Sequence, residues 1–481
     1  VSELATAVAA KLPDAGVLAA AVVGAAAVIA ALVVLMRRHQ EALPLLAILA
    51  LPFRLPISTE HRTVNLLIPL YLVVAAGTLA HLLPRLLERL KGATAARSER
   101  SAVESARAPA PSIGAMDEST VSLRTPSSWL TPRGLELLLF AAIGLYALQT
   151  IYSADQTKAL TNLAFFYVPF GLLFLLLRDV RWTRELLLRS LGVAVALAVV
   201  FAGVGFIEYG RKALFLNPKV VAANQYDNYF RVNSLFFDPN IYGRFLALVM
   251  IAVTTVVLWS SRRRDELIGA AVLAWLLAGL VTSFSQSSIA ALLLGLAVLA
   301  AWRWEVRGTL YVSGGLLALG GAIVLLAPAS LHFGLKGSGG STSNATSGRS
   351  KLISGGVRLF AQRPLQGYGP GSFETEYKRH DSKANAQNAT SASHTIPVTV
   401  AAEQGILGLG VYVLLLVSAF FVLFRGAGRS PPRIAIAACF AGLVLHTWTY
   451  ADFLEDPMTW TLLGIGVALA GAARTGRASS F

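Results

Sequence analysis

The chain has 481 residues, 55% of them hydrophobic and 14% charged, with a mean hydropathy of +0.62 and a formal net charge of +15. A soluble domain usually carries about 25% charged residues, so an ordinary cytosolic protein is excluded. The single Cys439 rules out an intrachain disulfide, and no nucleic-acid partner is expected, because the basic residues cluster between apolar runs instead of forming a binding stripe.

Apolar runs, most of them long enough for about 30 Å of hydrocarbon, recur at 15–36, 42–57, 63–83, 134–152, 159–177, 185–207, 235–259, 267–282, 287–301, 309–328, 396–424, 434–450 and 458–473. The first reads as a span and not as a cleaved secretion signal. The 42–57 run contains Pro52, Arg54 and Pro56 and is expected to be short, bent or re-entrant. The expected fold class is an all-α polytopic membrane protein of about 12–13 transmembrane helices, with one long external loop carrying an amphipathic helix.

Five parts follow from this pattern: N-terminal spans (1–90), a disordered cytoplasmic linker (91–133), central spans (134–328) with an external loop at 208–234, a large external loop (329–395) and C-terminal spans (396–481). The linker reading rests on its Ala, Ser, Pro, Arg and Glu content with few large apolar residues. The short basic loops at 178–184, 261–266, 302–307, 425–433 and 474–477 are expected to face the cytoplasm. That sends 153–158, 208–234, 283–286, 329–395 and 451–457 to the opposite face. In the longest of these, Leu352, Ile353, Val357 and Phe360 recur at helical spacing before Pro364, which predicts an amphipathic helix on the outer surface.

Three outward segments carry candidate chemistry. In the first, Arg231 precedes Asp238-Pro239-Asn240, which is expected to break or restart a helix. Arg244 follows inside the apolar run, where a charge marks either a polar pathway or a partner, Asp238 being the nearest. In the second, Arg349, Arg358 and Arg363 offer planar forks suited to phosphate oxygens or, for the latter two, to lipid head groups. The glycine-rich stretch at 367–373 reads first as a tight turn and second as a phosphate cradle. In the third, His394 stands where the long loop returns to the membrane, as a boundary residue or a general base, and Glu403 follows in the span. The acidic residues Asp452, Glu455 and Asp456 read as a solvated turn.

Together these segments resemble the O-antigen ligase family, which includes Wzy-type polysaccharide polymerases. The family pattern of an Arg, a helix and P-L-x-G-x-G-x-G-x-F corresponds to Arg349, Leu352, Phe360 and Pro364-Leu365-Gln366-Gly367-Tyr368-Gly369-Pro370-Gly371-Ser372-Phe373. Its His and E-x-G-I-L-G correspond to His394 and Glu403-Gln404-Gly405-Ile406-Leu407-Gly408, and its upstream Arg and D-P-N to Arg231 and Asp238-Pro239-Asn240, with Gly243 beyond. The Ser-rich stretch at 283–288 is similar to the start of another family helix. Ile353 and Thr395 depart from the Trp and Asn common in the family, which leaves the acceptor and subfamily open.

The resemblance implies a metal-independent, cofactor-free glycan transferase of the bacterial inner membrane, acting on its periplasmic side. Its donor is a glycan on undecaprenyl diphosphate; its acceptor is a glycan or lipid-core hydroxyl. Arg231 and Arg349 are implied to hold the diphosphate and His394 to serve the acceptor, with Arg244, Asp238, Asn240, Arg358 and Glu403 in support. Ligation and repeat-unit polymerisation both fit these residues. A transporter without catalysis is the competing class, although no internal repeat of the transporter kind is visible.

Overall fold

A computed structural model describes residues 15–58, 63–89, 91, 129–215, 230–304, 311, 342–380, 392–393 and 395–474. The expected span at 309–328, apart from residue 311, and almost all of the linker at 91–133 lie outside these residues. Eight described helices are long and apolar enough to cross a membrane, and the architecture is helical apart from one small hairpin.

The chain divides into two units. In the first, α1 (Ala15–Arg38) packs on α3 (Ile68–Arg89), and the short α2 (Ala42–Ala50) packs on α3 as well. The 42–57 run is therefore not one span. Its helix stops at Ala50, and the residues around Pro52 and Pro56 become extended. Proline lacks the amide that a helix interior needs. The resulting β1 (Leu55–Ser58) pairs antiparallel with β2 (Thr63–Leu66), with Leu55 opposite Leu66, and this hairpin, residues 51–67, belongs to the second unit.

The second unit runs up and down through α4 (Pro132–Thr150), α5 (Gln156–Arg178), α6 (Arg184–Arg211), α7 (Pro239–Trp259), α8 (Arg263–Thr282) and α9 (Gln286–Arg303). After a segment outside the described residues come α10 (Thr342–Gln362) and α11 (Phe373–His380). The unit closes with α12 (Ile396–Phe424), α13 (Pro431–Thr449) and α14 (Pro457–Arg474).

Helix α7 is the axis of this unit. It packs against α6, α8, α9 and α13, and 72% of its apolar window is buried, against 22–44% for the other candidate spans of the unit. Phe201, Phe236 and Phe245 meet around it at centroid separations of 5.2–5.9 Å. Lipid tails are as apolar as leucine, so helix association here depends on close packing and not on escape from water.

Successive turns alternate between the two ends of this unit. One end carries the basic turns 179–183 and 260–262. The other carries 151–155, 212–215, 230–238, 283–285, 392–395 and 450–456. Lys212, Ser234, Phe284 and Asp452, the four non-glycine residues with positive φ among the described residues, all lie at this second end. Such conformations cost about 1–3 kcal/mol each and persist where the surroundings fix them.

Candidate functional site

The chain path at the strained end is set by a buried carboxylate. Glu208, 0% exposed near the end of α6, accepts hydrogen bonds from the amides of Ser234 (2.7 Å) and Phe215 (3.0 Å). The Ser234 hydroxyl donates to the Phe201 carbonyl at 2.8 Å, and the Val232 amide donates to that of Thr282 at 3.2 Å. This anchors 230–236 across the tops of α6 and α8 and presents Arg231. Its Nε donates to the Ser283 carbonyl (3.2 Å) and one Nη to Asn240 Oδ1 (3.3 Å).

Asp238 caps α7, accepting from the Asn240 amide at 2.7 Å, with Pro239 at the first helical position. This is the helix start that D-P-N predicts, since proline there sacrifices an amide that would have no helical partner. Asn240 Oδ1 also accepts from Ser285 Oγ at 2.9 Å, and Ser285 Oγ lies 2.7 Å from Ser288 Oγ. Ser288 Oγ in turn is 3.1 Å from His446 Nε2 on α13. Arg231, Asn240, the serine-rich turn and His446 thus form one network across four elements.

Arg244 has a different partner from the one its sequence neighbourhood suggested. Its guanidinium pairs with Asp456 at 2.7 Å, both side chains being 1% exposed, and not with Asp238. The acidic turn is accordingly withdrawn from solvent in part. Asp456 is buried in this pair, and Asp452 and Glu455, half-buried, line a cavity where desolvation raises both carboxyls above their ordinary range, Glu455 to about 8. The charges of Arg244 and Arg54 oppose the rise at Asp452. Burial, joined by the charge of Asp238, likewise raises the Tyr450 phenol well above its usual value. A charge in an apolar run requires a partner, and that requirement was the signal available in the sequence for this cluster.

The glycine-rich stretch is a docking loop. Helix α12 is interrupted at Gly405, whose φ of +66° and ψ of −162° are not helical. The carbonyls of Ala402 and Glu403 accept from the amides of Tyr368 (3.2 Å) and Gly369 (2.7 Å), while the Ile406 amide donates to the Pro364 carbonyl (2.7 Å). At Gly367, with φ +66°, a Cβ would lie 2.3 Å from the Glu403 carbonyl oxygen. The loop amides are therefore bonded to protein, which supports the tight turn over the phosphate cradle. Glu403 secures the same junction, its carboxylate accepting from the Phe373 amide at the start of α11 (3.0 Å). On the loop's other flank, Ser153 Oγ donates to the Pro370 carbonyl at 2.7 Å.

Helix α10 forms as expected and ends at Gln362, before Pro364, but its stripe differs. Leu352, Gly355, Gly356 and Leu359 are buried against α11 and α12, whereas Ile353 and Val357 are 37% and 51% exposed. The two glycines admit Tyr377 and Val398, leaving the bulkier neighbours outward. Arg358 is exposed, and Arg363 stacks on Tyr368, 4.5 Å from the ring centroid. The Arg349 backbone is part of α10, whereas His394 lies outside the described residues, between Ser393 and Thr395 at the head of α12.

Below the loop lies a cavity of about 90 Å³, with Tyr146, Lys158, Asn162, Glu403, Asp452 and Glu455 among its walls. A π-helical turn at Leu163–Tyr167 follows Asn162 in α5, a local irregularity often found at functional sites. Tyr146, Lys158, Asn162 and His446 left no signal in the sequence beyond polar atoms at the ends of apolar runs.

Residues 271–413 match the family model described as O-antigen ligase. No curated protein matches the chain.

Proposed function

From a multi-pass membrane protein that carries an O-antigen ligase domain, we propose a transferase that moves a glycan from undecaprenyl diphosphate to an acceptor hydroxyl at the outer face of the bacterial inner membrane. The supporting observation is the polar end of the α7 unit. Arg231 is held there by Ser283 and Asn240, beside strained turns at Ser234 and Phe284. Such pre-set geometry suits stabilisation of charge that develops only during reaction.

In this reading Arg231 and Arg349 bind the diphosphate with bidentate forks. An acceptor oxygen attacks the anomeric carbon as the bond from that carbon to the phosphate oxygen breaks, with inversion. His394 receives the hydroxyl proton, and the electron pair leaves on the lipid diphosphate, whose added charge the two arginines offset. The reaction needs no nucleotide, because the diphosphate already provides the leaving group.

The test is glycan transfer by purified protein with an undecaprenyl-diphosphate-linked donor, with and without a lipid-core acceptor. Arg231→Ala, Arg349→Ala and His394→Ala should each abolish transfer while leaving membrane insertion intact. Full activity in the Arg349 and His394 variants rejects the reading. Product form separates the two activities: a ladder without added acceptor denotes polymerisation, and a single transfer onto the lipid core denotes ligation.

A further inference from the structure

The cavity below the glycine loop contains groups that the transfer reading leaves unused. Tyr146 is 2% exposed, and its hydroxyl has the Asn162 side chain beside it but no well-formed hydrogen bond. Lys158 Nζ is also buried without a hydrogen bond, its ion-pair contact with Glu374 being long at 3.9 Å. Their neighbours are engaged: Asn162 Nδ2 donates to Glu455 Oε1 at 2.9 Å, and Glu403 accepts from the Phe373 amide. An unmet buried polar group costs about 1–3 kcal/mol. Two facing the same cavity point to an occupant that supplies their partners.

The wall chemistry narrows that occupant. Asp452 and Glu455 accept hydrogen bonds or share protons, Lys158 donates, and the phenols of Tyr146, Tyr167 and Tyr412 provide both polar tips and ring faces. Three carboxyl groups make the cavity unsuitable for a diphosphate. A hydroxyl suits it, because one oxygen can donate to a carboxylate and accept from an amine or phenol. The volume of about 90 Å³ exceeds the ~10–15 Å³ that one water needs and admits the edge of a sugar ring. Ala392 and Ile396, which bracket His394 in sequence, stand in the same wall.

We infer that this cavity binds the hydroxylated edge of the acceptor sugar, with Tyr146 and Lys158 as specificity-determining residues. The inference rests on the transfer reading. Acceptor and donor concentrations are to be varied separately for the wild type, Tyr146→Phe and Lys158→Gln, using the acceptor that the wild type uses in the assay above. Each variant should raise the acceptor KM about tenfold or more and leave the donor KM unchanged.

Tyr146→Phe removes one oxygen and keeps the ring, so it carries the test alone if Lys158→Gln fails to insert. An unchanged acceptor KM, the result expected of a cavity that holds only water, overturns the inference and spares the transfer reading. A change confined to the donor KM does the same. Absence of transfer by the wild type overturns the transfer reading and this inference with it.

Discussion

Arg244, on the second turn of α7, pairs with Asp456 at the end of the acidic turn before α14, at 2.7 Å and with each side chain 1% exposed. Removing one member of a buried pair strands the other charge, at a cost of about 3–5 kcal/mol. Asp456→Ala should therefore lower the thermal unfolding midpoint of the detergent-purified protein sharply, or abolish folded yield. The double variant Arg244→Met/Asp456→Leu should recover most of the loss, because apolar replacement of a buried pair is often neutral. A single variant with an unchanged midpoint would show that the pair contributes nothing to folding.

The acidic turn should also make stability depend on pH. Burial, followed by the charge of Asp452, raises the Glu455 carboxyl from 4.5 to about 8, outweighing Lys158 and Arg54. Between those values the folded protein holds a proton that the unfolded chain has released. Stability thus falls as pH rises through this window and levels off above it. The raised carboxyl of Asp452 adds to the same slope. Melting midpoints measured from pH 5 to 9 should decline for the wild type and decline less for Glu455→Gln. A flat wild-type profile would contradict this account.

Gly367→Ala should disturb the loop for two reasons. The φ of +66° disfavours any residue with a Cβ, by about 1–2 kcal/mol, and that Cβ would meet the Glu403 carbonyl oxygen at 2.3 Å. Lower stability and faster proteolysis within 363–373 are expected. Gly410→Ala is the matched control on α12, where nothing lies within 4 Å of the added methyl. Equal behaviour of the two variants would be incompatible with the docking described.

Arg231→Lys keeps the charge but loses the fork that reaches both Ser283 and Asn240. Under the transfer reading, activity should drop by about 10–100-fold, an interaction loss of roughly 1.4–2.7 kcal/mol. Wild-type rates in this variant would mean that the fork geometry is irrelevant to turnover.

The sequence exposed most helices because a lipid-crossing helix leaves a long apolar run that few other structures require. It also showed where α7 starts, since Asp238-Pro239 combines a cap with a residue suited to the first turn. It could not reveal that Arg244 and Asp456 meet, because tertiary packing brings together residues from distant helices. Local composition made the acidic turn look exposed, while three-dimensional packing buries Asp456 and half-buries Asp452 and Glu455. The break at Gly405 was equally obscure: a glycine within an apolar run is ordinary, and only the loop bonded to its neighbours reveals the interruption.

Under the transfer reading, that interruption constrains how a lipid-borne donor gains access. The 363–369 segment supplies hydrogen bonds that α12 would otherwise make to itself, so peeling it away would strand backbone groups on both partners. The segment is thus fixed to α12 and a poor door. Under the transfer reading, the passage for a polyprenyl chain is to be sought where the described helices meet through side chains alone.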